Sequence, residues 1–183
     1  MLLGKKQLLA SLNTYDWLGS GIYFWEHGPA RALEWAVQQS KRKGTGVKDP
    51  AVLGAVIQLG NCFDLLDVSF TQFLSGAADE LIRELAEQGL SLPHNQHIGS
   101  SDFDWLRRER DCLVLNSAIP RVEARLGTRF HSVRSVFQEG TPAFEGAGIK
   151  LKSHIQIAVR HPQAILGYFN PQNNALIVPA HED

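Results

Sequence analysis

The stretch GSGIYFWEHGPARALEWA, residues 19–36, limits the fold more tightly than any other part of this chain. Gly19 and Gly21 flank Ser20. There the backbone can turn sharply, or approach another group with no Cβ in the way. Ile22, Tyr23, Phe24 and Trp25 follow without a break. As a strand they put Tyr23 and Trp25 on one face and Ile22 and Phe24 on the other. Two arrangements satisfy that pattern. All four side chains are core beside a plain turn, or one pair is core and the other lines a cleft on which a planar heterocycle can stack. Gly28-Pro29 then opens a helix, because proline is preorganised for the first helical turn and needs no N–H there. Ala30, Leu33, Ala36 and Val37 recur at helical spacing to about residue 39. Lys41, Arg42, Lys43 and Gly44 form an ordinary cationic, glycine-terminated helix end.

The rest of the chain alternates strands and helices. Leu2, Leu3, Leu8, Leu9 and Leu12 fall on a helical stripe. Residues 52–59 are apolar and β-branched, which predicts a strand, and 63–67 continue it through Gly60-Asn61. Residues 73–88 are an amphipathic helix ending at Gly89. A polar loop over 88–101 holds His94 and His97, and Pro93 and Gly99 argue against the helix a metal pair would need. Residues 102–110 read as helical with Ser101 as a cap, and 112–115 fit either a strand or a continuation of that helix. Strands are expected at 132–138, 154–160 and 164–169, with a Gly/Pro loop over 139–148 and a last edge strand at 176–178. Strands in late, hairpin-like succession predict an α+β fold with a largely antiparallel sheet.

At 183 residues the chain has the length of one domain with a core that needs no staples. A net charge of −1 gives no global basic field for nucleic acid or an anionic membrane. Arg107, Arg108 and Arg110 cluster locally, as a solvated helix end would. Cys62 and Cys112 lie in no CxxC and have no histidine at metal spacing, so they read as small buried residues in a reducing cytoplasm. No apolar run approaches the roughly 20 residues of a membrane span. Asp64 and Asp67 are spaced for turn and cap roles. Phosphate-loop, nucleophile-elbow and HExxH patterns are absent, which removes the commonest NTPase, hydrolase and zinc-protease readings.

The segment GSGIYFWE, followed by a helix carrying RALEWA, resembles the ADP-ribosyltransferase superfamily. It is similar to the G-x-G-I-Y-F segment of poly(ADP-ribose) polymerases and of small bacterial relatives often found as toxins. The resemblance implies an ADP-ribosyltransferase-like split, largely antiparallel β-sheet flanked by helices. It also implies that Tyr23 stacks on the nicotinamide of NAD, with backbone contacts from Gly19, Ser20 and Gly21. The strand KSHIQIAVR, residues 152–160, is similar to the third motif of glutamine-bearing variants, and Gln156 takes the signature position. A carboxamide there can bond the ribose hydroxyls, but with no titratable proton it is no general base. His154 shares its face by period two. Arg134 is a candidate bidentate donor to the diphosphate, against a structural role. Glu139, and Glu145 beyond it, belong to the loop that in this fold touches the acceptor, against the reading of solvated loop charges. The family's first motif, a histidine on an early strand, has no counterpart before Tyr23. An upstream start, a truncated form and a lost ribose anchor all account for that, and the expected domain is 1–183 without its first strand.

The activity so implied is NAD-dependent mono-ADP-ribosyl transfer to a macromolecular acceptor, protein or nucleic acid, with no metal and no membrane. Small members act as toxins held by an antitoxin partner or in phage defence. Two alternatives stand beside it: a non-catalytic NAD-fold binding module, and an NAD glycohydrolase with water as acceptor.

Overall fold

The computed structural model describes residues 8–97, 104 and 107–171. The expected strand at 176–178, Leu2, Leu3 and most of 101–106 fall outside the described residues. Among the described residues the fold is mixed α/β, with three helices and antiparallel-rich sheets. Strand β1 is Ile22–Trp25, helix α1 Pro29–Ser40, strand β2 Gly54–Ile57 and strand β3 Cys62–Asp64. Helices α2, Val68–Glu87, and α3, Glu109–Leu126, come next, then β4, Ser132–Phe137, β5, His154–Val159, and β6, Ile165–Phe169.

Among these strands one sheet has the order β1-β5-β4-β3, with β3 parallel to β4 and the other pairs antiparallel. The second sheet joins β2 to β6. Two expectations are corrected here. Consecutive β5 and β6 are not a hairpin, because the 3₁₀ turn Pro162–Ala164 sends the chain to the other sheet. The run from 52 through 67 is likewise split, β2 entering one sheet and β3 the other. Gly60, at φ +59°, makes the break, and a Cβ there would lie 2.7 Å from the His131 ring.

Each face of the four-stranded sheet has its own core. Phe63, Val133 and Ala158 pack beneath Leu115, Ile119 and Val122 of α3, with α2 laid against α3. On the opposite face Ile22, Ile157 and Val159 meet Ala164, with Ile57 and Ile165 of the two-stranded sheet beside them. Helix α2 begins at Val68, five residues before the expected start at 73, because Asp67 caps it, its carboxylate accepting from the Ser69 amide. Helix α3 resolves the ambiguity at 112–115 in favour of a helix. It runs through Pro120 to Leu126 and closes on Gly127 in the left-handed conformation. Residues 107 and 108 precede it without being helical. Residues 8–13 form no helix either: Ser11 bridges Gly21, and Leu9 and Leu12 stand exposed.

Candidate functional site

Strand β1 is the edge of the sheet in this order, and its register with β5 sets the site. Tyr23 faces Ala158 and Trp25 faces Gln156. Directly paired residues share a face, so Tyr23, Trp25, Gln156 and His154 lie on one side, with Ser135 and Phe137 of β4. Tyr23 and Gln156 are thus diagonal neighbours, roughly 7–8 Å apart in such a ladder. The hydroxyl of Tyr23 donates to the Gly19 carbonyl at 2.8 Å and accepts from the Leu18 amide at 3.0 Å. Burial, with the charge of Asp16 adding to it, pushes the phenol far above its ordinary range, so it stays protonated. The ring itself is only partly buried.

The glycines have structural reasons to be glycine. At φ +76°, Gly19 occupies the left-handed region, and a Cβ would sit 2.6 Å from Asn116 Oδ1. That same oxygen accepts from the Ser20 amide at 3.0 Å. At Gly21 a Cβ would meet the Val159 carbonyl at 3.0 Å, so the close approach there is to β5.

Gln156 is held at both ends. Its Oε1 accepts from Trp17 Nε1 at 2.6 Å, and its Nε2 lies 2.9 Å from His154 Nε2. His154 Nδ1 is 2.6 Å from the Lys152 carbonyl. Rings enclose this line: Phe137 stacks on His154 at 5.4 Å, Trp17 meets Phe137 edge-on at 5.0 Å, and Trp25 lies 5.5 Å from Trp35. Burial lowers the His154 pKa, with Arg31 assisting, while the Lys152 carbonyl and Glu139 oppose the shift. Arg31 of α1 donates twice to Glu139, at 2.7 and 2.6 Å. Trp25 Nε1 and Arg31 Nε are buried donors with no hydrogen-bond partner among the described residues, while Arg31 Nη1 makes only a long ion pair, 3.5 Å, to Glu34. Buried donors are nearly always paired, so these two nitrogens are exceptions.

Arg134 is not brought to this group. It projects from the opposite face, where its Nε donates to Glu26 at 2.6 Å and its Nη1 to Asp64 at 3.0 Å. The Glu26 bonds raise its pKa further. Glu145 lies exposed in its loop. Arg108 is no solvated helix end: its guanidinium stacks over Phe137 at 4.3 Å and over Trp17 at 5.2 Å, and burial lowers its pKa. Lys41, Arg42 and Lys43 are exposed, as a helix end would be. Cys112 is buried and Cys62 partly so, and burial raises the pKa of both thiols.

A cleft of about 810 Å³ runs along β1, lined by Tyr23, Phe24, Trp25, Trp35, Ile57 and Phe169 among others. Its size suits a small ligand, for which roughly 300–1,000 Å³ is usual. Gln156 and His154 do not line it. A second, apolar cavity of about 420 Å³ between α2 and α3 reaches Trp17 and Arg108. No group of three metal-ligating side chains occurs among the described residues, and no described helix is long and apolar enough to cross a membrane. Neither a protein-family model, a curated protein nor a solved structure matches this chain.

Sequence reasoning passed over Trp17, Trp35, Arg31 and Asn116. Trp17 sits only six residues before Tyr23, yet its partner lies across the sheet at 156, and no local spacing marks such a pair.

Proposed function

We propose that this chain is an NAD-dependent mono-ADP-ribosyltransferase-like protein, built on the split antiparallel sheet of that superfamily. The observation that carries the reading is the juxtaposition of Tyr23 and Gln156. Two residues matched to separate motifs are diagonal neighbours on one sheet face, and the cleft along β1 takes in Tyr23 and Trp25 at the strand edge while its other β1 and β5 residues, Ile22, Phe24 and Ile157, face the opposite side. The donors of Trp25 and Arg31 that lack acceptors are consistent with a polar ligand at that corner.

Bound NAD supplies a good leaving group, because nicotinamide departs neutral from a ring that starts cationic. The chain's part is then positioning and exclusion of water more than strong acid catalysis. Tyr23 offers a ring face while its hydroxyl is fixed to the Leu18–Gly19 backbone. Gln156 spends one Nε2–H and one Oε1 lone pair on its neighbours and keeps one of each for ribose hydroxyls. The acceptor is a macromolecule, protein or nucleic acid, and a toxin or phage-defence role with an antitoxin partner follows from the same resemblance. A non-catalytic binding module is the second reading. It is favoured by the absence of a titratable carboxylate at position 156 and by the commitment of Arg134 to Glu26 and Asp64.

The purified chain should release nicotinamide from NAD, and Tyr23→Ala should reduce that release at least about tenfold, the factor that follows from losing roughly 1.4 kcal/mol of positioning. Release that persists unchanged in the variant removes Tyr23 from the site. Free ADP-ribose as the sole product makes the protein a glycohydrolase. Binding of NAD without release supports the binding module.

A further inference from the structure

The line from Trp17 to Lys152 has only one consistent polarity. An indole Nε1–H is a donor and never an acceptor. The carboxamide atom facing it at 2.6 Å must therefore be oxygen. The amide nitrogen of Gln156 then points at His154 Nε2, 2.9 Å away, and an NH₂ group can only donate. His154 Nε2 must accept, so it carries no proton. The ring proton is on Nδ1, facing the Lys152 carbonyl at 2.6 Å, which accepts it. Every link agrees with its neighbours, although the four residues come from the loop before β1, from β5 and from the turn leading into β5.

We infer that Trp17 and His154 are positioning residues that lock the Gln156 carboxamide in one of its two orientations, and that protonation of His154 at Nε2 breaks the lock. An imidazolium turns Nε2 into a donor aimed at an NH₂ group. Relief requires the carboxamide to flip, and the flip sets its NH₂ against the indole N–H. The locked orientation presents one fixed donor and one fixed acceptor to a ligand, which suits two adjacent hydroxyls, one accepting and one donating. Burial, with Arg31 facing it from α1, favours the neutral imidazole, against Glu139 from the loop after β4 and the Lys152 carbonyl in the turn before β5. From β1 and β4 the facing groups are the uncharged rings of Trp25 and Phe137.

The lock itself does not depend on the proposed activity; only its consequence for catalysis rests on that reading. The test on the full chain is ¹⁵N NMR of the His154 ring across a pH titration. The expected result is the neutral Nδ1–H tautomer. Gln156→Glu is the sharper variant, since a carboxylate accepts from both the indole and a protonated Nε2. It should raise the proton affinity of His154 at least about tenfold, one pKa unit. Trp17→Phe keeps the ring but frees the carboxamide, and should move the His154 titration upward as well. A proton found on Nε2 in the unsubstituted protein overturns the inference without any variant, and so does a His154 titration that Gln156→Glu leaves in place. Nicotinamide release gives the second readout. In Trp17→Phe the acid limb of the rate profile should move up together with the His154 titration, whereas a purely structural Trp17 would lower stability and leave that limb where it was. A chain that releases no nicotinamide at any pH sinks the proposed activity, and the tautomer measurement still judges the lock.

Discussion

On one face of the four-stranded sheet, Trp17, Gln156 and His154 pass hydrogen bonds along a line of neutral groups enclosed by rings. On the other, Arg134 satisfies itself with two carboxylates, Glu26 from beside β1 and Asp64 from β3. The same strands carry both, one residue apart in register. The neutral line is directional, because each donor and acceptor is dictated by the next, so its geometry holds information about orientation. The charged cluster, a bidentate pair of Arg134 with Glu26 plus a bond to Asp64, holds its ligands to one another and ties three strands together. A ligand that must be oriented belongs with the first, and an ion pair that crosslinks belongs with the second.

The most disruptive way to break the comparison is to remove the packing that holds the neutral face in register. Phe63 is fully buried there, its ring 5.1 Å from both Phe70 and Phe130. Phe63→Ala should cost about 3–5 kcal/mol in urea denaturation, from lost transfer energy plus the cavity. A cost below about 1 kcal/mol would mean that α3 does not seat on this face as described. Next in size is Arg134→Ala, which leaves two carboxylates without their shared cation. We expect a loss of about 1.5–3 kcal/mol, typical of hydrogen bonds to charged groups, and an unchanged KM for NAD. A raised KM with intact stability would return Arg134 to the diphosphate and erase the division of labour between the faces. Tyr23→Phe is a finer test. It strips the Leu18 amide and the Gly19 carbonyl of their partner while keeping the ring. Stability should fall by about 1–3 kcal/mol, the cost of unsatisfied buried groups, with less effect on NAD turnover than Tyr23→Ala.

The legible parts of this fold are the ones written in local periodicity. Residues 22–25 alternate, Pro29 opens α1, and the strands at 132–137 and 154–159 fall where β-branched runs end in turn residues. From period two alone His154 joins Gln156 on one face, and the register with β1 adds Tyr23. Partnership across the sheet was not legible. Arg134 is an isolated cation in its strand, and only the parallel pairing of β3 with β4 brings Asp64 beside it. The late strands look like successive hairpins in sequence, yet sheet membership is decided by which core each strand covers, and Ile165 belongs with Ile57. Residues 112–115 fit a strand or a helix from their short apolar run alone, and the burial of Ile119 and Val122 one turn further on, past Pro120, is what makes them part of α3.

The smallest expected effect is also the one that separates the two faces by pH. Burial holds the His154 pKa below its ordinary value of 6.5, so between those two values the unfolded chain binds a proton that the folded chain refuses. Stability is therefore complete above about pH 6.5 and declines as the pH falls from there through the lowered folded value. Glu34, held below its own ordinary 4.5 chiefly by its bond to Lys152, acts in the same direction but only at more acidic pH. The interval from about pH 6.5 down to about 5 thus isolates the imidazole, and urea midpoints measured across it should slope downward with acid. His154→Phe removes the titrating group while leaving a ring between Phe137 and Trp25, so its midpoints should lose that slope. If the slope survives in the variant, the proton is being taken up elsewhere. The neutral line would then owe its orientation to Trp17 alone, and the contrast with the charged face would reduce to one indole N–H.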